Sequence, residues 1–220
     1  MEKIAIIGSS GHAKVVIDII LNEKRYELCG LIDDYKQKGE KVMNFPIMGK
    51  IEELPNIIHT HLITGIIIAI GDNFARSEMA AYVKNICPDI SFIKTIHPSA
   101  LIASDVKIGL GSVIAAGSII GPCCKIGDHC ILNTNSSLDH DSTMDDFSSI
   151  APKVATGGNC NIGAYSAIGI GTTLIHKINI GKNSVIGAAS LVITDIESLV
   201  VAYGRPAKTI RSRKEDDKYL

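Results

Sequence analysis

A six-residue repeat in the second half of the chain restricts the folds available to it. From Ile96 to Val192 an aliphatic residue occupies every sixth position in 16 of 17 hexads, with no insertion. Four residues after each of these positions, a second column holds Ala, Ser, Thr, Cys or Val in 15 of 17 hexads. Neither an α-helix nor an ordinary strand has a period of six, so the pattern predicts a parallel β-helix in which each hexad forms one flat side. Three hexads then make a coil of 18 residues.

The composition agrees with such a narrow interior. Aromatic residues make up 5% of the chain and Trp is absent, whereas wide cores are filled by aromatic side chains. Glycine follows the residue of the first column in eight hexads, for example at Gly121 and Gly157, near where the chain must turn a corner. Because glycine adopts positive φ at no steric cost, we expect these glycines to supply the turns.

Net charge and the absence of targeting patterns argue against several kinds of partner. With 22 Lys and Arg against 23 Asp and Glu, the net charge of -1 gives no electrostatic basis for binding nucleic acid or an anionic membrane. No signal-peptide pattern and no run of 18 apolar residues occurs, so we expect a cytoplasmic protein without membrane insertion. The six cysteines show no C-x-x-C spacing, and we expect them to be small core residues rather than a disulfide framework.

The first 95 residues follow a different pattern. An apolar run at 3–7 precedes the loop GSSGH at 8–12 and a helical pattern, and two more apolar runs end in acidic or glycine-containing turns. This alternation predicts a small Rossmann-like α/β domain, which binds ligands at the carboxyl edge of its parallel sheet. We therefore divide the chain into a Rossmann-like domain at 1–95, a β-helix at 96–197 and a C-terminal capping segment at 198–220.

The loop at 8–12 departs from the G-x-G-x-x-G dinucleotide fingerprint, so NAD is not implied. Small residues at a helix N-terminus can still receive a phosphate or diphosphate. Asp33 and Asp34 follow the second apolar run and could accept hydrogen bonds from a ribose or a base. The alternative interpretation is that all of these are only turn and helix-cap residues.

Several motifs together resemble one family. They are GSSGHAKVV at 8–16, LIDD at 31–34, IHPSA at 96–100, Asn133-Thr134 followed by Asp139-His140-Asp141, and GRPAK at 204–208. The combination is similar to the bacterial sugar acetyltransferases of the hexapeptide-repeat acyltransferase superfamily, which include sialic-acid O-acetyltransferases (NeuD type) and UDP-4-amino-sugar N-acetyltransferases (PglD type). This resemblance implies a left-handed β-helix, acetyl-CoA as co-substrate without a metal, and a homotrimer with active sites between neighbouring subunits.

The same resemblance implies which residues bind each substrate. In the family, the N-terminal domain holds the nucleotide of a UDP-sugar and acetyl-CoA lies along the β-helix. The substrate-binding residues so implied are Gly8, Ser9, Ser10, Gly11, His12, Asp33, Asp34, Asn73, Arg76 and Asn133. Those implied for acetyl-CoA are Ser149, Gly158, Ile170, Ala188 and Lys208. Ser149 is a departure, because many relatives carry a second histidine there that meets the acetyl group or an acceptor.

His140 is the candidate general base. Acetyl transfer from a thioester requires an amine or hydroxyl that loses a proton as it attacks, and histidine titrates in the right range. His140 matches the family's proton-accepting histidine, and Asp141 matches the acidic residue that orients its imidazole. Adjacent residues on a strand point in opposite directions, so this pairing requires a corner, and Asp139 is the other candidate partner.

The 18-residue period places His140, Gly158 and His176 in one column. A residue without a side chain between two histidines predicts a groove beside His140 that suits a pantetheine arm. Two strand spacings separate the histidines by about 10 Å, which is too far for them to share a metal ion. No serine lies in a G-x-S-x-G pattern, so we expect direct transfer without an acyl-enzyme.

The leading hypothesis is an acetyl-CoA-dependent N-acetyltransferase that acts on a UDP-linked amino sugar of the 4-amino-4,6-dideoxy type in glycan biosynthesis. The same general base would serve a sugar O-acetyltransferase of the sialic-acid type, and the sequence barely separates the two. A hypothesis from a different class is a non-catalytic hexapeptide scaffold, against which the presence of His140 argues.

Overall fold

The N-terminal domain is a six-stranded sheet between two helical layers. The computed structural model describes residues 1–219 and begins with β1 (Glu2–Ile7), α1 (Gly11–Glu23), β2 (Tyr26–Ile32), β3 (Lys41–Val42), β4 (Phe45–Gly49), a 3₁₀ helix (Ile51–Glu53), α2 (Leu54–His61), β5 (Gly65–Ile68), α3 (Asn73–Ile86) and β6 (Ser91–Phe92). The strand order is β3-β4-β2-β1-β5-β6, with only β3 and β4 antiparallel. Helix α1 packs on one face of the sheet and α2 and α3 pack on the other, which confirms the Rossmann-like domain.

Residues from Thr95 onward form the left-handed β-helix, with strands of two residues on three sides. The first side holds Thr95–Ile96, Val113–Ile114, Ile131–Leu132, Ser149–Ile150, Ala167–Ile168 and Val185–Ile186; the second holds Leu101–Ile102, Ile119–Ile120, Ser137–Leu138, Ala155–Thr156, Thr173–Leu174 and Leu191–Val192; the third holds Lys107–Ile108, Lys125–Ile126, Thr143–Met144, Asn161–Ile162 and Asn179–Ile180. Backbone pairing joins residues 18 positions apart, such as Val113 with Ile131. The predicted β-helix is confirmed.

The two columns of the repeat fill the interior of the β-helix. The aliphatic residues pack on one another along its length, and Leu132 and Ile150 have no exposed surface. The small column is buried beside them, and several of its hydroxyls donate to carbonyls of the following coil, as Ser112 Oγ does to the Gly127 carbonyl at 2.8 Å. These hydroxyls are satisfied without bulky partners, whereas Ser136 Oγ has no hydrogen-bond partner within residues 1–219. The cysteines at 124, 130 and 160 are unpaired members of this column.

The glycines that follow the first column do not supply the turns, and this expectation was wrong. Positive φ falls two positions later in the hexad, mostly at non-glycine corners such as Cys123 (60°) and Asp141 (59°), and at other glycines, Gly111, Gly117 and Gly171. At Gly121 and Gly157 an added Cβ would lie 2.7 Å and 2.6 Å from backbone nitrogens of the next coil. Glycine is required there because adjacent coils approach too closely for any side chain.

The C-terminal segment extends the first side of the β-helix. After Leu191–Val192 an antiparallel hairpin, Val200–Gly204 and Ala207–Ser212, pairs in parallel with Val185–Ile186 through its first strand. The hairpin covers the Val185–Ile186 edge, and Ala207–Ser212 becomes the last strand of this sheet. Within residues 1–219, no helix has the length and apolarity needed to cross a bilayer.

A buried guanidinium joins the two domains. Arg76, on α3, has no exposed surface, and its Nε donates to the His129 carbonyl at 2.9 Å while Nη2 donates to the Phe147 carbonyl at 3.1 Å. Its Nη1 donates to the Ile70 and Gly71 carbonyls at the end of the β5 segment. One side chain thus donates hydrogen bonds to carbonyls of both domains and links them.

Aromatic side chains stack beside this guanidinium. His129, Phe147 and Tyr165 occupy one column of the β-helix with ring centroids 4.9 and 5.5 Å apart, and Phe92 of β6 meets the His129 ring edge at 4.5 Å. Burial, aided by the Arg76 charge, lowers the pKa of His129 to about 4, so its ring is neutral. The N-terminal domain is therefore held on the β-helix by both apolar and hydrogen-bonded contacts.

Replacing Arg76 by methionine should destabilise the protein strongly. The apolar side chain fills similar volume but leaves several buried carbonyls without donors, so we expect a loss of about 3 kcal/mol or more in the free energy of unfolding. Urea denaturation at fixed protein concentration would measure it. The exposed Arg205→Met is the matched control and should change stability by less than about 0.5 kcal/mol; equal effects of the two substitutions would contradict the structural role of Arg76.

Candidate active site

The loop at 8–12 connects β1 to α1 at the carboxyl edge of the sheet. Gly8 has φ of 100°, and an added Cβ would lie 3.0 Å from the Ala69 carbonyl oxygen, so this turn requires glycine. Ser10 precedes α1 without a side-chain cap, and the first turn of α1 contains no acidic residue. The positive end of the helix therefore faces this edge without a competing carboxylate on the helix.

A cavity of about 680 Å³ lies beside this loop, and we call it the N-terminal cleft. Among its lining residues are Gly8, Ser9, Ser10, Asp33, Asp34 and Gly71. One oxygen of Asp33 accepts the backbone N–H groups of Tyr35 and Lys36, and one oxygen of Asp34 accepts that of Ile51 at 2.9 Å. The other oxygen of each makes no hydrogen bond within residues 1–219, so each carboxylate can hold its loop and still accept from a ligand.

A second cavity, of about 540 Å³, lies between the loop and the first side of the β-helix, and we call it the inter-domain cleft. It brings together predicted residues of both kinds: Gly11, His12 and Asn133 from the substrate set, and Ser149, Ile170 and Ala188 from the acetyl-CoA set. Gly71 lines both clefts, so they adjoin. A ligand held by the N-terminal domain can therefore extend to the surface of the β-helix.

His12 is a neutral histidine in the wall of the inter-domain cleft. Burial, with a smaller contribution from the Arg76 charge, lowers the pKa of His12 to about 4. Its Nε2 is inaccessible to solvent and has no hydrogen-bond partner within the described part of the chain. The loss of hydrogen bonds to water favours the neutral ring, so His12 adds no charge to the wall of the cleft.

His140 and Asp141 form the predicted pair at a corner between the second and third sides. Asp141 adopts φ of 59°, and this turn brings its Oδ2 to 2.8 Å from Nδ1 of His140. The hydrogen bond that the Asp141 carboxylate accepts, followed by the charge of Asp139, raises the pKa of His140 above its ordinary value. Asp139 instead accepts the backbone N–H of His140 at 2.8 Å. With Nδ1 engaged by the carboxylate, Nε2 is the atom left to accept a proton.

The space over Gly158 is not an open groove. The imidazole of His140 lies against Gly158, where an added Cβ would overlap its Cε1 and Nε2. Glycine thus allows the ring to lie flat on the next coil, which fixes its orientation. The sequence predicted a groove for a pantetheine arm at this point, but within one chain the His140 ring occupies this space. No group of three or more potential metal-ligating side chains occurs within residues 1–219.

The structure separates some of the predicted residues. Within one chain, His140, Gly158 and Lys208 line neither cleft. Asn73 and Arg76 are also corrected, because both are buried in the domain junction: Asn73 donates to the Tyr165 and Ser166 carbonyls, and every nitrogen of the Arg76 guanidinium is bonded within the chain. A substrate would have to break these bonds to reach either side chain.

Sequence reasoning missed two groups of residues. Lys14, Lys36 and Lys41 surround a depression on the outer side of the loop, together with Ser9, Ser10 and Gly11. Their signal was too weak to find, because scattered lysines are usual on any surface. Tyr219 lines the inter-domain cleft from the last part of the C-terminal segment, which lies beyond GRPAK at 204–208 and carries no motif of its own.

Residues 3–83 match the family model described as the PglD N-terminal domain. A curated relative, UDP-N-acetylbacillosamine N-acetyltransferase of Bacillus subtilis (strain 168), is 34% identical over 118 residues, which are 53% of this chain and 52% of that protein. The matched segment thus spans about half the length of that relative, and shorter segments match sugar and chloramphenicol acetyltransferases.

Solved structures match over both domains. A histidine-to-alanine mutant of GDP-perosamine N-acetyltransferase from Caulobacter crescentus, in complex with CoA and GDP-perosamine, superimposes with a TM-score of 0.90 at 29% identity and covers 96% of this chain and 98% of that one. The acetyltransferase domain of PglB from Neisseria gonorrhoeae FA1090 gives a TM-score of 0.88 at 30% identity, with coverage of 96% and 100%. The likeness therefore includes the N-terminal domain, the β-helix and their junction.

Substitution of Asp141 by asparagine should lower the pKa of His140. The wild-type pKa lies above the ordinary imidazole value of about 6.5 because the carboxylate favours the protonated ring, and the amide removes that preference. An NMR titration of the imidazole would measure the shift toward lower pH. Asp145→Asn, at an exposed position outside the pair, should leave the titration unchanged; an unaltered pKa in Asp141→Asn would contradict the pairing.

Proposed function

Because this chain belongs to the PglD and NeuD type of sugar acetyltransferases within the hexapeptide-repeat superfamily, we propose that it transfers the acetyl group of acetyl-CoA to the amine of a nucleotide-linked amino sugar. The observation that carries the proposal is the inter-domain cleft, where the residues expected to meet the sugar and those expected to meet acetyl-CoA line one cavity. The N-acetyltransferase names of the relatives favour an amine over a hydroxyl acceptor. UDP is the first nucleotide to test, since the curated relative acts on a UDP-sugar by name.

The nucleotide would occupy the N-terminal cleft. Asp33 and Asp34 can accept hydrogen bonds from the ribose or base, and the end of α1 and nearby lysines at 14, 36 and 41 can receive the diphosphate. The sugar would then pass Gly71 into the inter-domain cleft. Both substrates of this reaction are metabolites of the cytoplasm, where we expect the protein to act.

The chemistry assigned to His140 is general-base catalysis. The neutral sugar amine attacks the thioester carbonyl, a C–N bond forms, and the C–S bond breaks as CoA leaves. Nε2 of His140 accepts the proton that the amine loses and can return it to the CoA thiolate, so protons balance over one turnover. Asp141 holds the imidazole by Nδ1 and stabilises its charged form.

Three copies of the chain would complete each site. His140 is exposed at a corner that faces away from the inter-domain cleft of its own chain, so a neighbouring copy must supply it. The second side, next to this corner, exposes apolar side chains at Leu101 (66%) and Ile119 (50%), as expected of a subunit contact. A closed ring of three chains of 23.5 kDa gives a particle of about 70 kDa.

His140→Ala should lower kcat by about 10²–10⁴-fold, the usual contribution of a general base. An exposed side chain has little packing to lose, so the melting temperature should move little. Thiol release from acetyl-CoA, with a panel of UDP-, GDP- and dTDP-linked amino sugars and free sialic acids, measures the rate. His59→Ala, an exposed histidine on α2, is the control. Near-normal kcat in His140→Ala would refute the assignment, and a wild type inactive on every acceptor would favour the scaffold hypothesis.

Mixed trimers test whether the site is shared. Gly11→Val should narrow the inter-domain cleft without disturbing the fold, because an added Cβ meets nothing within 4 Å. When this variant is co-expressed with His140→Ala, the cleft is intact on the His140→Ala chains and the histidine is intact on the Gly11→Val chains. In random trimers about a quarter of the sites should combine an intact cleft with an intact histidine and be active. Each variant alone is the control. If the mixture is no more active than the variants alone, both parts of the site come from one chain.

A further inference from the structure

The C-terminal segment at 213–219 returns from the hairpin to the junction of the two domains. Arg213 is buried, and its Nη1 donates to the Asn183 carbonyl at 2.9 Å while its backbone N–H donates to the Leu199 carbonyl at 2.8 Å. Asp217 accepts the backbone N–H of Lys214 at 3.1 Å, which closes a turn. These contacts give the segment a fixed path along the protein.

Along this path the chain places Tyr219 in the wall of the inter-domain cleft. Its hydroxyl accepts the backbone N–H of Asn73, the first residue of α3, at 3.0 Å, and its ring lies against the Arg213 guanidinium. Burial raises the pKa of Tyr219, so the hydroxyl keeps its proton. A residue beyond the last strand of the fold is therefore placed beside the loop at 8–12.

Within residues 1–219, the acceptors near the hydroxyl proton of Tyr219 are weak. The Gly71 carbonyl oxygen lies 3.4 Å away, beyond the usual O–H···O range of about 2.5–3.0 Å, and the Ser149 hydroxyl, which hydrogen-bonds to Tyr219, can itself act as the donor. The rest of the cleft is lined mainly by aliphatic side chains and glycine, with polar side chains only at His12, Asn133, Ser149 and Tyr219. A protonated hydroxyl in such a wall is a donor available to a ligand.

We propose that Tyr219 is a specificity-determining residue that donates a hydrogen bond to an oxygen of the acceptor hexose. The inference rests on the proposed function and assigns a substrate contact to a segment that the repeat does not include. The sugar rather than CoA is the partner because Tyr219 lies at Gly71, where the N-terminal cleft opens into the inter-domain cleft. Ile170 and Ala188, expected to meet CoA, lie on later coils of the β-helix.

Tyr219→Phe removes the hydroxyl and keeps the ring. Loss of one hydrogen bond should reduce kcat/KM for the nucleotide amino sugar by about three- to tenfold, while KM for acetyl-CoA stays within about twofold. Truncation after Asp217 removes the ring as well and should cost more for the same substrate. Glu215→Gln, at an exposed position in the same segment, is the matched control and should match the wild type.

Deoxy analogues of the acceptor separate a contact from a structural effect. With an analogue that lacks the hydroxyl contacted by Tyr219, the wild type and Tyr219→Phe should have equal kcat/KM, because there is no bond left to lose. Equal kcat/KM on the complete sugar, the same loss with every deoxy analogue, or equal losses for both substrates would overturn the role of Tyr219. A wild type that acetylates no nucleotide amino sugar would overturn the proposed function and this role together, so the two failures are distinguishable.

Discussion

Parallel backbone pairing at a spacing of 18 residues is the constraint on which the rest of the structure depends. It stacks each residue of the repeat beside the residue 18 positions later in the next coil. The neighbours of a side chain therefore follow directly from the residue numbers. The interior columns follow from it, and so does the seat of His140 on Gly158. It also makes the β-helix intolerant of insertions, since an inserted residue would displace all later columns. His140 on this surface is positioned by Asp141 and Gly158 without a dedicated loop.

The clefts require the N-terminal domain, because the repeat alone does not form them. A β-helix side is nearly flat, and the N-terminal domain turns the first side into the wall of a cavity by docking against it. Arg76 sustains this docking by donating to carbonyls on both domains. Its charge also helps to keep His12 and His129 neutral. The guanidinium therefore supports the cleft and adds to the effect of burial that keeps His12 neutral.

The sequence was sufficient for the features that depend on a period or on a contiguous motif. The hexads predicted the β-helix and its interior columns, and the Asp139-His140-Asp141 motif predicted a hydrogen-bonded pair that requires a corner, as the positive φ of Asp141 supplies. Features set by contacts between distant segments could not be predicted. The family resemblance placed Arg76 among the substrate-binding residues, and the sequence could not reveal its actual partners, because the groups at 129 and 147 are backbone carbonyls. The glycines of the repeat, such as Gly121, were expected to adopt positive φ at the turns. The short distance between adjacent coils is the actual reason that glycine is required there.

Within one chain the inter-domain cleft and the exposed histidine lie in different places. The cleft contains a neutral His12 and the protonated hydroxyl of Tyr219, whereas His140, with its raised pKa, is exposed at the corner between the second and third sides. Burial is the main cause of the low pKa of His12, and the Asp141 carboxylate is the main cause of the raised pKa of His140. The Arg76 guanidinium lowers the pKa of His12 but is not among the groups that act on His140. If His140 is the base that we propose, a neighbouring copy must bring it to the cleft, and an isolated chain would hold its substrates without that base.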